Sequence, residues 1–383
     1  MKKIYIIAGE KSGDKIGASI IKELNKQYGG LSFAGVGGSA MNEMGLTSLF
    51  PIEQISLIGF IEIIPHIFRL RRLINDTVIH IQEFKPDLVI TIDSPGFSTR
   101  VVQKAKEIIR SKFVHVVAPT VWAYKPSRAK KFARLYDLML TLLPFEPPYF
   151  EQEGLKTIFI GHFIHEQTIS KDPKIFREKY CIRPEEKLLT LLPGSREGEV
   201  KMHMPIFIKT IKLLRKKMNI KVVILASSEA IQKLISSYRQ EEDLFDTIVV
   251  EDEASSLYAA SNVALAKSGT NNLEILMHDL PLVICYKINF ISWIYIKLYI
   301  LVKFANLVNI MSKRMIIPEF IQSDCTPEKL SDAIEDLLTS PNKASMQVQE
   351  AKIFLDQMKN TEGFPGALAA RAINELLSLD AEK

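Results

Sequence analysis

Apolar residues along this chain fall into two alternating series separated by a polar break. In the first, short continuous apolar runs at Lys3–Ala8, Leu88–Asp93 and Val114–Ala118 read as strands, while Asp14–Tyr28 places Ile16, Ile20 and Leu24 on one face of a helix. Strands alternating with amphipathic helices predict a parallel sheet wrapped by helices. After Gly161 and His162 the texture turns polar through Ser170, Lys171, Asp172 and Pro173, which marks a linker. A second series follows, with strands at Leu188–Leu192, Lys221–Ala226, Thr247–Val250, Val263–Ala266 and Leu282–Cys285. Its helices are expected at Pro205–Met218, Glu229–Gln240, Ala254–Ser261 and Asn271–Met277. The tail carries helical patterns over Pro327–Thr339, Lys343–Met358 and Gly366–Leu379 and no further strand. The expected architecture is α/β: two Rossmann-like, doubly wound parallel-sheet domains facing across a cleft, over 1–168 and 169–359, with a C-terminal helix at 360–383 crossing back to the first.

Composition narrows the picture. With 383 residues, 47% apolar and 24% charged, the chain has material for two cores and is not disordered. A net charge of +5 is no argument for nucleic acid, but it suits an anionic substrate or membrane surface. Cys181, Cys285 and Cys325 are odd in number and far apart, which speaks against a disulfide framework or zinc site and for a reducing cytoplasm. The first strand runs straight into a glycine loop, without the pattern of a secretory signal. The most apolar stretch, 280–311, is interrupted by Lys287, Asn289, Lys297 and Lys303 and falls short of the roughly 18 apolar residues a spanning helix needs.

Ligands of open parallel sheets gather at the carboxyl ends of the strands, so candidate chemistry belongs in the loops there. Ala8-Gly9-Glu10-Lys11-Ser12-Gly13-Asp14 is a strand-to-helix turn with Glu10 and Ser12 at its crest, and it lacks both dinucleotide and Walker spacings. Gly35-Val36-Gly37-Gly38 offers a second glycine turn, fit either for close approach to a substrate or for a plain turn. Asp93, in Thr91-Ile92-Asp93-Ser94-Pro95-Gly96-Phe97, is a lone carboxylate at a strand end, suited to a general base or to a helix cap. In the second series, Gly194, Ser195 and Arg196 combine with Ser268, Gly269 and Thr270 to form a candidate diphosphate site, with Glu274 placed for ribose hydroxyls.

Taken in order, these loops resemble the lipid-A-disaccharide synthase family over nearly the whole chain. The likeness is carried also by Pro119-Thr120-Val121-Trp122-Ala123, Leu143-Pro144-Phe145-Glu146, Ile160-Gly161-His162, Leu191-Leu192-Pro193-Gly194-Ser195-Arg196 and Leu273-Glu274. The resemblance implies a GT-B glycosyltransferase that moves an acylated glucosamine from UDP-2,3-diacylglucosamine to the 6-hydroxyl of 2,3-diacylglucosamine 1-phosphate. The first domain would bind the acceptor and the second the UDP-sugar. Asp93 would be the base, Glu10 and Ser12 would line the acceptor side together with Gly9, Gly37, Gly38 and Trp122, and Arg196 would face the donor diphosphate. Asn309 matches a family asparagine near the active site. A β-linkage made from an α-sugar nucleotide requires inversion by one displacement with one base. No DxD motif is present, so neither metal nor cofactor is expected. The chain departs from the family pattern at Gly96 and Ser98, at Asn271 and Asn272, and at His165 and Glu166, where other residue types are usual.

Acylated substrates call for contact with a bilayer, expected as peripheral association with the cytoplasmic face of the inner membrane. In 55–74, Ile58, Phe60, Ile61, Ile63, Ile64, Ile67 and Phe68 adjoin Arg69, Arg71 and Arg72, with Pro65 dividing the stretch. Phe290–Met311, carrying Trp293, Tyr295, Tyr299 and Phe304, is either a second contact or a buried helix. Relatives form dimers with exchanged C-terminal segments, which leaves a homodimer open. The alternatives are another GT-B enzyme with a different lipid acceptor, a sugar-nucleotide epimerase, or a non-catalytic nucleotide-sugar-binding protein at the membrane.

Overall fold

The computed structural model describes residues 2–56, 63–169, 172–241, 245–269 and 271–378. Ile58, Phe60, Ile61, Ser170, Lys171, Thr270 and Leu379 lie outside them. The chain forms two compact units, Met1–Glu166 with Met358–Lys383, and Gln167–Gln357.

Among the described residues of unit 1, seven parallel strands form one sheet: β1 (Lys3–Ala8), β2 (Ser32–Val36), β3 (Thr47–Ser48), β4 (Leu88–Ile92), β5 (Lys112–Val116), β6 (Leu138–Thr141) and β7 (Thr157–Phe159), in spatial order β3-β2-β1-β4-β5-β6-β7. Helices cover both faces, which is why Ile4 to Ala8 and Leu88 to Ile92 are buried on both sides and read as unbroken apolar runs. The helix α1 (Lys11–Gln27) starts three residues before the expected Asp14, because the Asp14 amide already bonds the Glu10 carbonyl at 3.0 Å. It is followed by α2 (Ser39–Glu43), α3 (Ile63–Phe84), α4 (Pro95–Ile108) and α5 (Arg128–Leu135). Pro65 lies within α3 as described, and the part of its stretch from 57 to 62 lies outside the described residues.

Unit 2 holds β8 (Lys187–Leu192), β9 (Ile220–Ala226), β10 (Thr247–Val250), β11 (Val263–Lys267), β12 (Leu282–Tyr286) and β13 (Glu319–Ile321), also parallel, in order β10-β9-β8-β11-β12-β13. The helix α6 (Glu197–Lys217) begins eight residues before the expected Pro205, which lies inside it. Its first turns are polar in sequence, yet Val200, His203, Met204 and Phe207 recur at helical spacing and are buried. Then come α7 (Asn271–Met277), α8 (Phe290–Tyr299) and α9 (Leu307–Ser312). A strand that the series ending at Leu282–Cys285 does not include, β13, precedes the tail and pairs with β12 through Ile284, Cys285 and Tyr286; at three residues it is too short to show a period.

The last helix, α10 (Pro365–Ser378), belongs to unit 1. Leu368, Ala369, Ala370 and Ile373 share a core with Ile4, Ile6, Ile16 and Ile20. Glu166 fastens this return, accepting a bond from the Ser19 hydroxyl at 2.6 Å and from the Gly366 amide at 2.7 Å.

Candidate functional site

In unit 1 the chain winds outward from β1 to β2 and β3, then reverses to place β4 on the other side of β1. Such a reversal opens a crevice at the carboxyl ends of the two strands, and the loops leaving β1 and β4 are those that carry Gly9, Glu10 and Asp93. These loops abut. A Cβ on Gly9 would come within 1.8 Å of the Ser94 hydroxyl, so only glycine fits there. Asp93 and Ser94 both hold left-handed backbone, φ 51° and 45°, a conformation L-residues adopt only under the constraint of their surroundings. Burial pushes the Asp93 carboxyl above its ordinary range, the nearby Glu10 carboxylate pushes it further, and the Ser94 amide partly counters both. The structure therefore brings Gly9, Glu10 and Asp93 together.

Other unit 1 candidates are placed differently. Ser12 is not on a loop crest but exposed in the first turn of α1. Gly37 and Gly38 were read as fit for close approach to a substrate; the groups that approach them are the protein's own. A Cβ would meet Met41 Cε at 2.3 Å from Gly37 and Asp14 Oδ2 at 2.6 Å from Gly38. The buried Asp14 carboxylate accepts from the amides of Gly38 (2.7 Å), Ala40 (2.9 Å) and Met41 (3.1 Å), and so caps α2 from α1. Trp122 donates its indole N–H to Glu146 Oε1 at 3.2 Å and meets Phe145 edge-on. Glu146 also accepts from the Leu143 amide, and burial pushes its carboxyl up to about 7 against these bonds.

Unit 2 repeats the topological device. The chain runs from β8 out to β9 and β10, then reverses to set β11 beside β8. The loops after β8 and β11 hold Gly194, Ser195 and Arg196 on one side and Ser268 and Gly269 on the other, while Thr270 lies outside the described residues. Gly194 has φ 132°, and a Cβ there would sit 2.6 Å from that of Glu199. Glu199 accepts from the Ser195 amide at 3.1 Å and pairs with Lys267 at 2.8 Å, tying the two loops together. Burial works to raise the Glu199 carboxyl, but Lys267, the Ser195 amide and Arg196 carry it below its ordinary value. Arg196 is exposed at the N-terminus of α6, whose dipole adds to its positive charge. Ser268 donates to the Ala305 carbonyl at 3.0 Å. Glu274, half-buried on α7, accepts from Gln167 at 3.1 Å.

Asn309, expected near the active site, presents its amide to the protein's own groups. It is fully buried; its amide nitrogen donates to Ile317 and Glu319, and its oxygen accepts from the amides of Ile316 and Ile317. Glu319 in turn accepts from the Ala305 amide at 2.6 Å, so Asn309 acts on the Ser268 side through this chain of bonds.

Glu199 and His203 are not singled out by the sequence, and Asp14 and Lys267, quoted within their loops, hold roles that only the structure shows. His203 is buried, with Nδ1 at 3.0 Å from the Pro193 carbonyl and Nε2 accepting from the Lys287 amide at 3.1 Å. Burial lowers its pKa, so it is a neutral bracket between the β8 and β12 loops. Glu199 lies four residues beyond Ser195, one helical turn, and that spacing was the available signal. No group of three or more His, Cys, Asp or Glu side chains fit to hold a metal occurs among the described residues.

A family profile described as lipid-A-disaccharide synthetase matches residues 4–372. The chain is 43% identical over 378 residues to the lipid-A-disaccharide synthase of Rickettsia prowazekii, covering 98% of this chain and 99% of the relative. It is 42% identical over 379 residues to that of Rickettsia akari, covering 98% and 96%. Among solved structures it resembles UDP-GlcNAc 2-epimerase from Neisseria meningitidis bound to UDP-GlcNAc, with a TM-score of 0.64 at 13% identity over 98% of this chain and 99% of the other. It also resembles Anabaena HepE in complex with UDP and glucose, with a TM-score of 0.59 at 13% identity over 99% of both chains. These structural likenesses establish the GT-B fold.

Proposed function

The chain belongs to the lipid-A-disaccharide synthetase family, and from that premise we propose that it condenses UDP-2,3-diacylglucosamine with 2,3-diacylglucosamine 1-phosphate to a β-1,6-linked disaccharide 1-phosphate and UDP. Unit 1 takes the acceptor and unit 2 the donor. The observation that carries this assignment is that the candidate residues of each unit flank its own topological switch point.

Asp93 removes the proton from the acceptor 6-hydroxyl as its oxygen attacks C1 of the donor sugar. The C1–O bond to the diphosphate breaks with its electron pair leaving on UDP, and one displacement inverts C1. Glu10 serves twice, lining the acceptor side and keeping the Asp93 carboxyl basic by repulsion. Arg196 and the N-terminus of α6 offset the charge on departing UDP, with Gly194, Ser195, Ser268, Gly269 and Thr270 around the diphosphate and Glu274 at the ribose. This reading requires no divalent cation.

Acyl chains bring the enzyme to a membrane surface, for which we assign the cytoplasmic face of the inner membrane. No helix among the described residues is long and apolar enough to cross a membrane. Phe68 on α3 is 78% exposed beside Arg69, Arg71 and Arg72, and Leu298 in the last turn of α8 and Leu301 just beyond it are 73% and 61% exposed. These support peripheral contact.

The test is to incubate the protein with both substrates in detergent, with and without EDTA, beside Asp93→Ala. Disaccharide and UDP should form despite EDTA, and kcat should fall by about 10²–10⁴-fold in the variant while UDP still binds. A folded wild-type protein that binds UDP and makes no disaccharide would redirect the assignment to another acceptor.

A further inference from the structure

Two residues beyond Asp93, Pro95 and Gly96 open α4 and form one wall of a pocket of about 250 Å³ between α4 and α5. The pocket is also lined by Thr99, Arg100, Arg128 and Lys131. Three cations therefore converge on one small cavity, two from α5 at i and i+3, on one helix face, and one from α4. No acidic residue lines it, and none of the three has an ion-pair partner among the described residues. Lys131 instead donates to the Thr99 hydroxyl at 3.3 Å, tying the two helices.

Three like charges around one pocket make it attractive to an anion. Arg128 is half-buried, and after burial itself, Arg100 and Arg128 both work against the charge on Lys131. Arg100 and Lys131 are exposed, Arg100 donates to the Gly96 carbonyl of its own helix at 2.8 Å, and no carboxylate lines the pocket to balance the three charges. The volume is below that of pockets that enclose a whole organic ligand, so it suits a single charged substituent.

We propose that this pocket receives a phosphomonoester, the one carried by the acceptor sugar. The inference rests on the function proposed above and specifies how unit 1 selects its substrate. The Cα atoms of Asp93 and Pro95 lie at most about 7.6 Å apart, the reach of two peptide units. A sugar with its phosphate between α4 and α5 therefore has its ring beside the Asp93 loop, and the 6-hydroxyl is the group on the far side of that ring. Arg128 and Lys131 supply charge-assisted hydrogen bonds to the phosphate oxygens.

The experiment measures equilibrium binding, in mixed micelles, of 2,3-diacylglucosamine 1-phosphate and of the same compound without its phosphate. Wild-type protein should prefer the phosphorylated form by about tenfold or more. Arg128→Ala and Lys131→Ala should each remove most of that preference by weakening only the phosphorylated ligand, and Arg128→Lys should restore part of it. A variant with unaltered thermal melting that keeps the preference, or that weakens both ligands alike, overturns the proposal. Lys131 is exposed, so Lys131→Ala decides the matter should Arg128→Ala not fold. Loss of binding to phosphatidylglycerol vesicles in the variants, with the acceptor preference intact, would assign the pocket to lipid headgroups and also overturn it. Disaccharide formation in the same samples separates the two claims: preference without synthesis sinks the transferase reading alone, and synthesis without preference sinks the pocket alone.

Discussion

Asp93 is held in an unfavourable backbone conformation, beside another carboxylate, at the end of a fully buried strand. Because its pKa is raised, the ionised base is lost at a higher pH than for an ordinary carboxylate, so the acid limb of kcat/KM for the acceptor should lie above 3.8. Glu10→Gln removes one of the two causes and should move that limb to lower pH; a limb that stays put would show the repulsion to be negligible. Glu146 carries a stability prediction of opposite character. Its carboxyl is raised to about 7 in the folded protein, so the uncharged form favours folding, and that contribution is full below about 4.5 and lost as pH rises through 7. Its loss is worth about 3 kcal/mol, and urea unfolding of Glu146→Gln relative to wild type should shift in the variant's favour across that window. At Gly194 an added Cβ meets Glu199 and the backbone is left-handed. Gly194→Ala should cost about 1–3 kcal/mol in the same assay and loosen UDP binding.

At the scale of elements, what the sequence disclosed depended on length and burial. Strands β1, β4, β8 and β9 are buried on both faces and long enough to stand out as apolar runs. By contrast β3, β7 and β13 have two or three residues, and no period exists over so short a span. The start of α6 was hidden because Glu197-Gly198-Glu199 resembles a loop, although Glu199 is there to receive Lys267. Loop glycines were visible in the sequence, but their purpose was not: Gly37 and Gly38 answer to Met41 and Asp14, and Asp14 stands 24 residues before Gly38. The same distance effect concealed the α4–α5 pocket, whose cations are scattered from Arg100 to Lys131. Phe290–Met311 reads in sequence as either a buried helix or a lipid contact, and the structure splits it: Phe304 and Val308 are buried, while Ile294, Leu298 and Leu301 are exposed beside Lys297 and Lys303. Leu298→Ser should reduce binding to anionic vesicles severalfold in a flotation assay without altering thermal melting; unchanged binding would return the contact to α3 alone.

The whole molecule is two parallel-sheet units through which the chain passes out at 166 and back at 358. The alternation of patterns made two doubly wound domains legible; the fastening of α10 was not, since Glu166, Ser19 and Gly366 come from three separate parts of the sequence. A Cβ at position 366 would lie 2.2 Å from the Ser19 hydroxyl, so Gly366→Val should detach α10 and lower the thermal midpoint of unit 1. The return of α10 also has a consequence for biosynthesis. Unit 1 begins to leave the ribosome before unit 2 and is finished after it, because Ile16 and Ile20 wait for Leu368 and Ile373 to be translated. At ordinary elongation speeds the interval is roughly 10–40 s, during which the nascent amino-terminal sheet keeps an apolar flank bare. Released chains truncated after residue 364 should therefore be cut by protease in their first 166 residues and protected in the next 191, and that flank is where a chaperone would be found cross-linked.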